Sequence, residues 1–257
     1  MVGRDLTSAK WLPTALLLAA GWAGMVSPIY AQDKPAAGDE KVDPISLGMA
    51  KDSPDLTKLT KDYDVWIDRK HKWVVVDGQV CLREGQLEMF ACPKGTKDHE
   101  SVVTVNCPSQ FIHAGLLAIG ATPGKTVKFD PMFTPASGPV VDIYVLWQDD
   151  AGKMQKVRAQ EWVKNLKTEK QLDLDWVFGG SGFWRDEDTG KTHYYADSGE
   201  FICVSNFPSA MIDLPVASSQ ATADLLFVPM TDKIPPKGTK LRLVLAPRFE
   251  KKAAEPK

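Results

Sequence analysis

The sequence predicts an α+β domain, a predominantly antiparallel β-sheet with one or two covering helices. Three observations carry this. Short runs rich in Val, Ile, Trp, Tyr and Phe recur between turn residues, as half-buried strands do. One segment alone has sustained helical spacing of apolar residues. The composition is that of an ordinary globular chain, with 44% hydrophobic and 25% charged residues over 257 positions.

The elements follow in order. Val65-Trp66-Ile67 and Trp73–Val76 read as strands around a charged turn at Asp68–Lys72. Asp77-Gly78 reads as a two-residue hairpin, since both residues tolerate positive φ. Gln79–Leu82 and Leu87–Cys92 continue an antiparallel meander, turning at Glu84-Gly85. Val102–Val105 is a further strand. Pro108 and Ser109 then open the best helix, with Phe111, Ile112, Leu116 and Ile119 on one face and Gly120 at its end. Val140–Trp147 is a long strand. Gln160–Leu166 reads as a short helix with Trp162, Val163 and Leu166 inward. Leu174–Phe178, Thr192–Tyr195, Phe201–Val204, Leu225–Val228 and Leu241–Leu245 complete the sheet.

Outside the domain, assigned to 61–248, three segments differ in composition. Residues 1–31 have the form of a secretory signal peptide: Arg4 and Lys10, an apolar stretch from Trp11 to Val26, and a small residue at Ala31. The apolar stretch contains Pro13 and is shorter than the ~20 residues of a spanning helix. The expectation is therefore export, to the periplasm or beyond the cell, with no transmembrane segment in the mature chain. Residues 32–60 read as a flexible linker and 249–257 as a solvated tail.

A net charge of -2 argues against a nucleic-acid partner. The expected partner is an envelope component or a small ligand. In an oxidising compartment Cys81, Cys92, Cys107 and Cys203 are disulfide candidates. A simple hairpin at Glu84-Gly85 offsets Cys81 from Cys92 by ~13 Å, and a bridge needs Cα atoms within about 7 Å. Three full pairings stay open.

Each candidate site is weighed against a plainer use of the same residues. Cys81, Cys92, His99 and His113 carry zinc-type donors, but their spacing lacks the paired ligands of C-x2-C or H-x3-H. A metal ion at these four residues is the one cofactor considered, and none is predicted. His99, Glu100, Ser101 and His113 hold the residue types of a hydrolase, without a spacing that builds a triad. Gly180-Ser181-Gly182 departs from G-x-S-x-G at Phe183. Asp186–Gly190 lacks the ligands of a calcium loop and reads as an acidic hairpin tip. Among the tryptophans, Trp184 is the candidate for an exposed ligand platform and the others are assigned to packing. The binding candidates are thus His99, Glu100, Ser101, His113 and Trp184, with no catalytic residue assigned.

Three stretches, Leu87–Ser101, Ile112–Gly124 and Ile202–Pro215, together resemble the YdjY-type domain of exported bacterial proteins, over roughly 61–246. The resemblance implies an exported domain of uncharacterised function and supplies no catalytic residues. A ferredoxin-like label carried by some relatives is not transferred, because the cysteines lack cluster spacing. The leading reading is a non-catalytic exported module that binds a ligand or partner. Its alternatives are a metal or thiol-redox protein using Cys81, Cys92, His99 and His113, and, more weakly, a hydrolase.

Overall fold

The computed structural model describes residues 42–51, 53–219 and 225–249. The chain is β-rich with one α-helix among these residues. Its strands are β1 (Thr57–Lys58), β2 (Val65–Asp68), β3 (Trp73–Val80), β4 (Met89–Pro93) and β5 (Ser101–Val105). Helix α1 (Ser109–Ala118) follows, then β6 (Val140–Gln148), β7 (Met154–Arg158), β8 (Val163–Asn165), β9 (Lys170–Gln171) and β10 (Trp176–Phe178). The remainder are β11 (Phe183–Arg185), β12 (Thr192–Tyr194), β13 (Ile202–Cys203), β14 (Ile212–Asp213), β15 (Phe227–Pro229) and β16 (Lys240–Pro247).

Eight of these strands close on themselves. Neighbours run β3-β16-β6-β10-β14-β13-β4-β5, and β5 pairs back onto β3. Closure removes the exposed strand edges that an open sheet would leave. The length of β3 makes it feasible. Its first half pairs with β2 at Trp73–Val76, and its second half pairs with β5 at Gly78–Val80. The pairings β4–β5 and β13–β14 are parallel and the others in the barrel antiparallel. β1 and β2 extend the sheet on one side, and β7 flanks β6.

Side-chain alternation explains the two larger cores. Val74, Val76, Leu241, Leu243, Leu245, Ile143 and Val145 point into the main core. Helix α1 joins it through Ile112 and Leu116. The helix sits close because Gly115 has no side chain: a Cβ there would lie 3.2 Å from both Val74 methyls. On the opposite face of β3, Trp73 and Val75 pack with Trp66, Leu146, Val244 and Leu47.

Several sequence expectations change here. The hairpin at Asp77-Gly78 does not form, and β3 runs straight through it. Gly78 is required by close approach, since a Cβ there would meet the Thr104 carbonyl oxygen at 2.5 Å. The meander is likewise replaced: β5 lies between β3 and β4. The helix at 160–166 is instead a 3-10 turn, Ala159–Trp162, running into β8, which pairs with β9 and β15. The linker 32–60 is not wholly a spacer. Pro44–Leu47 forms a 3-10 turn with Pro44 and Leu47 buried, and β1 adds to β2. The signal-peptide segment lies outside the described residues, as does the tail apart from Phe249. No helix among the described residues is long and apolar enough to cross a membrane.

Candidate functional site: a lysine-lined groove beside the barrel seam

The structure separates the residues that the sequence grouped. His99 lies in the 3-10 turn Asp98–Glu100, is 77% exposed, and approaches Glu100 at 3.9 Å. Glu100 turns instead to Lys97, whose Nζ also reaches Glu88 and Glu200, at 3.2, 3.0 and 3.6 Å respectively. Ser101 is buried at the start of β5 and donates its hydroxyl to the Lys97 carbonyl at 2.8 Å. His113 lies on α1, which packs against β2, β3 and the 3-10 turn Tyr195–Ser198.

His113 braces a loop. Its Nδ1 lies 2.7 Å from the Tyr194 hydroxyl, which donates to the Gly180 carbonyl at 2.9 Å. The imidazole therefore donates to the phenol oxygen, and burial holds its pKa below the ordinary value. This chain fixes the Gly179–Gly182 stretch, where Ser181 has φ 55° and donates its hydroxyl to the Ser209 carbonyl at 2.6 Å. Ser181 is thus a loop clasp rather than a poised nucleophile. Trp184 stands exposed on the β11–β12 ribbon, stacked on His193 at 4.7 Å. At that ribbon's tip Asp186 accepts from the amides of Asp188 and Thr189, the acidic turn expected there. Trp66, Trp73, Trp162 and Trp176 are buried, as assigned.

The cysteine readings are corrected. Cys81, Cys92, Cys107 and Cys203 are all buried thiols, and no two approach to disulfide distance. Nor do Cys81, Cys92, His99 and His113 form a metal site; no group of three or more metal-ligating side chains converges among the described residues. The physical reason is the inserted strand: β5 sets β3 and β4 apart, and His113 leaves with α1. Burial raises all four thiols, that of Cys107 to about 12. The Cys81 thiol donates to the Ser101 carbonyl at 2.9 Å. Native protein should therefore react negligibly with a thiol reagent at pH 8 and yield four thiols on unfolding without reductant. Two or fewer would show that disulfides form.

What barrel closure does assemble is a transverse row of residues. Lys240 on β16 is opposite Gln79 on β3, Gln79 is opposite Thr104 on β5, and Thr104 is opposite Cys92 on β4. Paired residues share a face, and Lys240 Nζ bonds Gln79 Oε1 at 2.7 Å along it. Beside the row lies a cavity of about 420 Å³ lined by Met49, Lys51, Asp64, Asp77, Lys94, Asn106 and Lys240 among others. A second, of about 360 Å³, is lined by Cys81, Lys94, Gly95, Asp98 and Lys237 among others. Both include Gln79, Lys94 and Thr104, so they form one groove.

Its charges are unevenly satisfied. Asp64 is taken by Lys51 at 2.6 Å and Lys58 at 3.6 Å, which hold its carboxyl below the usual range. Asp77 is taken by the fully buried Arg242, Nε to Oδ1 at 2.7 Å and Nη2 to Oδ2 at 3.2 Å. Asp98 accepts from the Gly95 amide at 2.6 Å. Lys94 and Lys237, both exposed, make no ion pair among the described residues, and Lys240 meets a neutral amide. Thr104 is 2% exposed, and its Oγ1 has no hydrogen-bond partner there. A buried hydroxyl left unpaired costs about 1–3 kcal/mol, so it marks a place where a further polar atom would be favourable. The groove offers hydrogen-bond donors and positive charge to an oxyanion.

Sequence reading missed this site. Lys51, Lys94 and the neighbouring Lys237 and Lys240 come from three distant parts of the chain and follow no motif; barrel closure and the loops at the ends of its strands bring them to one groove. The one signal was Asp77-Gly78, where a turn dipeptide stood inside an otherwise continuous strand pattern. No curated protein and no solved structure matches this chain. The YdjY domain matches residues 65–246, which holds the whole barrel wall except the end of β16, and the chain belongs to the YdjY domain family.

Proposed function

We propose that this protein is an exported, non-catalytic module of the cell envelope that binds an anionic small ligand in the groove around Thr104. The observation that supports it is the pairing of uncompensated ammonium groups, Lys94 and Lys237, with the buried, unpartnered Thr104 hydroxyl. Ammonium groups supply attraction and donors, and a hydroxyl beneath them supplies direction. Phosphate and polycarboxylate groups are the chemistries that such donors recognise. Export is argued from the basic and apolar character of residues 1–31.

The test is calorimetric titration of the protein with inorganic phosphate and, separately, citrate. One saturable site is expected for at least one of them. Lys94→Glu and Lys237→Glu should each weaken it about tenfold or more, since each replaces attraction with repulsion in a partly desolvated cleft. Absence of saturable binding to either anion, or binding indifferent to both substitutions, would defeat the proposal.

A further inference from the structure

Between α1 and β6 the chain throws out an arm. It is zipped by two reciprocal backbone pairs, Lys125 with Ser137 and Lys128 with Thr134, at 2.8–3.1 Å. Val127 and Ala136 are buried at its base. Beyond the second pair the side chains reverse the usual order of polarity. Met132 is 71% exposed, Phe129 48% and Phe133 38%, the two rings resting on each other at 6.0 Å. Leu166, also exposed, lines the same depression as both rings.

Exposed apolar groups gathered at one tip mark a contact surface, whereas scattered ones need no explanation. The charges around this tip indicate its partner. Lys125 and Lys128 on the arm and Lys167 next to Leu166 make no ion pair among the described residues. Asp130 is the single carboxylate within Lys125–Ser137. Apolar side chains at a tip with ammonium groups set behind them match the layering of an anionic bilayer, where acyl chains lie beneath a negative headgroup plane.

We infer that the Phe129–Phe133 tip inserts shallowly into the surface of an anionic lipid bilayer, with Lys125, Lys128 and Lys167 against the headgroups. This surface is independent of the lysine groove, with which it shares no lining residue.

The test is co-sedimentation of the protein with vesicles of phosphatidylglycerol and phosphatidylethanolamine, against vesicles of phosphatidylcholine. Binding to the anionic vesicles is expected, weakening as salt rises. Met132→Asp and Phe129→Ser should each reduce the partition coefficient about tenfold, the scale set by withdrawing one apolar side chain from hydrocarbon. Both positions are surface-exposed, and matched unfolding curves would show that the fold is retained. A Phe129→Trp variant should show a blue-shifted emission on vesicle addition. The inference is overturned if the protein ignores anionic vesicles, or if the tip variants bind as well as the parent. It is also overturned if Lys94→Glu abolishes vesicle binding, which would assign the headgroup to the groove. Sedimentation showing a dimer dispersed by Met132→Asp, with no vesicle binding, would assign the tip to a second copy of this chain and overturn it equally.

Discussion

Arg242→Met should destabilise the protein by about 3–5 kcal/mol, the cost of breaking a buried ion pair by removing one partner. Arg242 is fully buried in β16, and four of its five N–H donors have partners. Two go to Asp77 as above, and Nη1 reaches the carbonyls of Gly48 at 3.1 Å and Ala50 at 2.8 Å. Its guanidinium also lies over the Trp66 ring at 5.2 Å. Methionine keeps much of the volume but strands one carboxylate and two carbonyls. Urea unfolding at pH 7 would measure the loss. Asp77→Asn in the same chain should recover part of it by removing the stranded charge. The variant carries a functional consequence too. An unpaired Asp77 carboxylate faces the groove, so Arg242→Met should weaken anion binding even where the fold is retained. A loss below about 1 kcal/mol would mean that the pair adds little beyond what water supplies.

Asp213→Asn should remove a large pH dependence of stability. Asp213 is buried in β14, where Oδ1 accepts from Asn206 Nδ2 at 3.1 Å and from the Leu214 amide at 2.8 Å, while Oδ2 has no partner among the described residues. Burial pushes its pKa up from 3.8 to about 7, against the pull of these hydrogen bonds. The native state therefore binds more protons than the unfolded state between those values. The contribution of Asp213 to stability is greatest below about pH 4, falls as pH rises toward 7, and levels off above it. The whole fall is about 4 kcal/mol from the difference in pKa. Asparagine mimics the protonated acid, so the variant should match the parent near pH 4 and exceed it near pH 8. Unfolding midpoints across pH 4–8 would show this. Parallel pH profiles for both proteins would show that Asp213 titrates normally.

Legibility in the sequence tracked how local each cause was. The α1 prediction at Pro108–Ile119 agrees with the observed Ser109–Ala118, because capping and periodicity act within a few turns. The acidic turn at Asp186 and the burial of most tryptophans were legible for the same reason. Asp77-Gly78 misled because a turn preference worth little was outweighed by partners distant in the chain: the Thr104 carbonyl against Gly78 and the Arg242 guanidinium on Asp77. The spacer assignment failed at Pro44–Leu47 because a polar, proline-rich stretch can still dock where two apolar side chains find an uncovered sheet face.

By itself the sequence determined the β-rich class, the place of helix α1, the family, and the chemical character of each segment. These rest on interactions between near neighbours and on composition. Tertiary structure alone decided that β5 separates Cys81 from Cys92, that His99 and His113 part company, and that Lys94, Thr104, Lys237 and Lys240 meet. Strand register fixes those outcomes. It is set by pairing across scores of residues and by the closure of a barrel, and no window of sequence contains it.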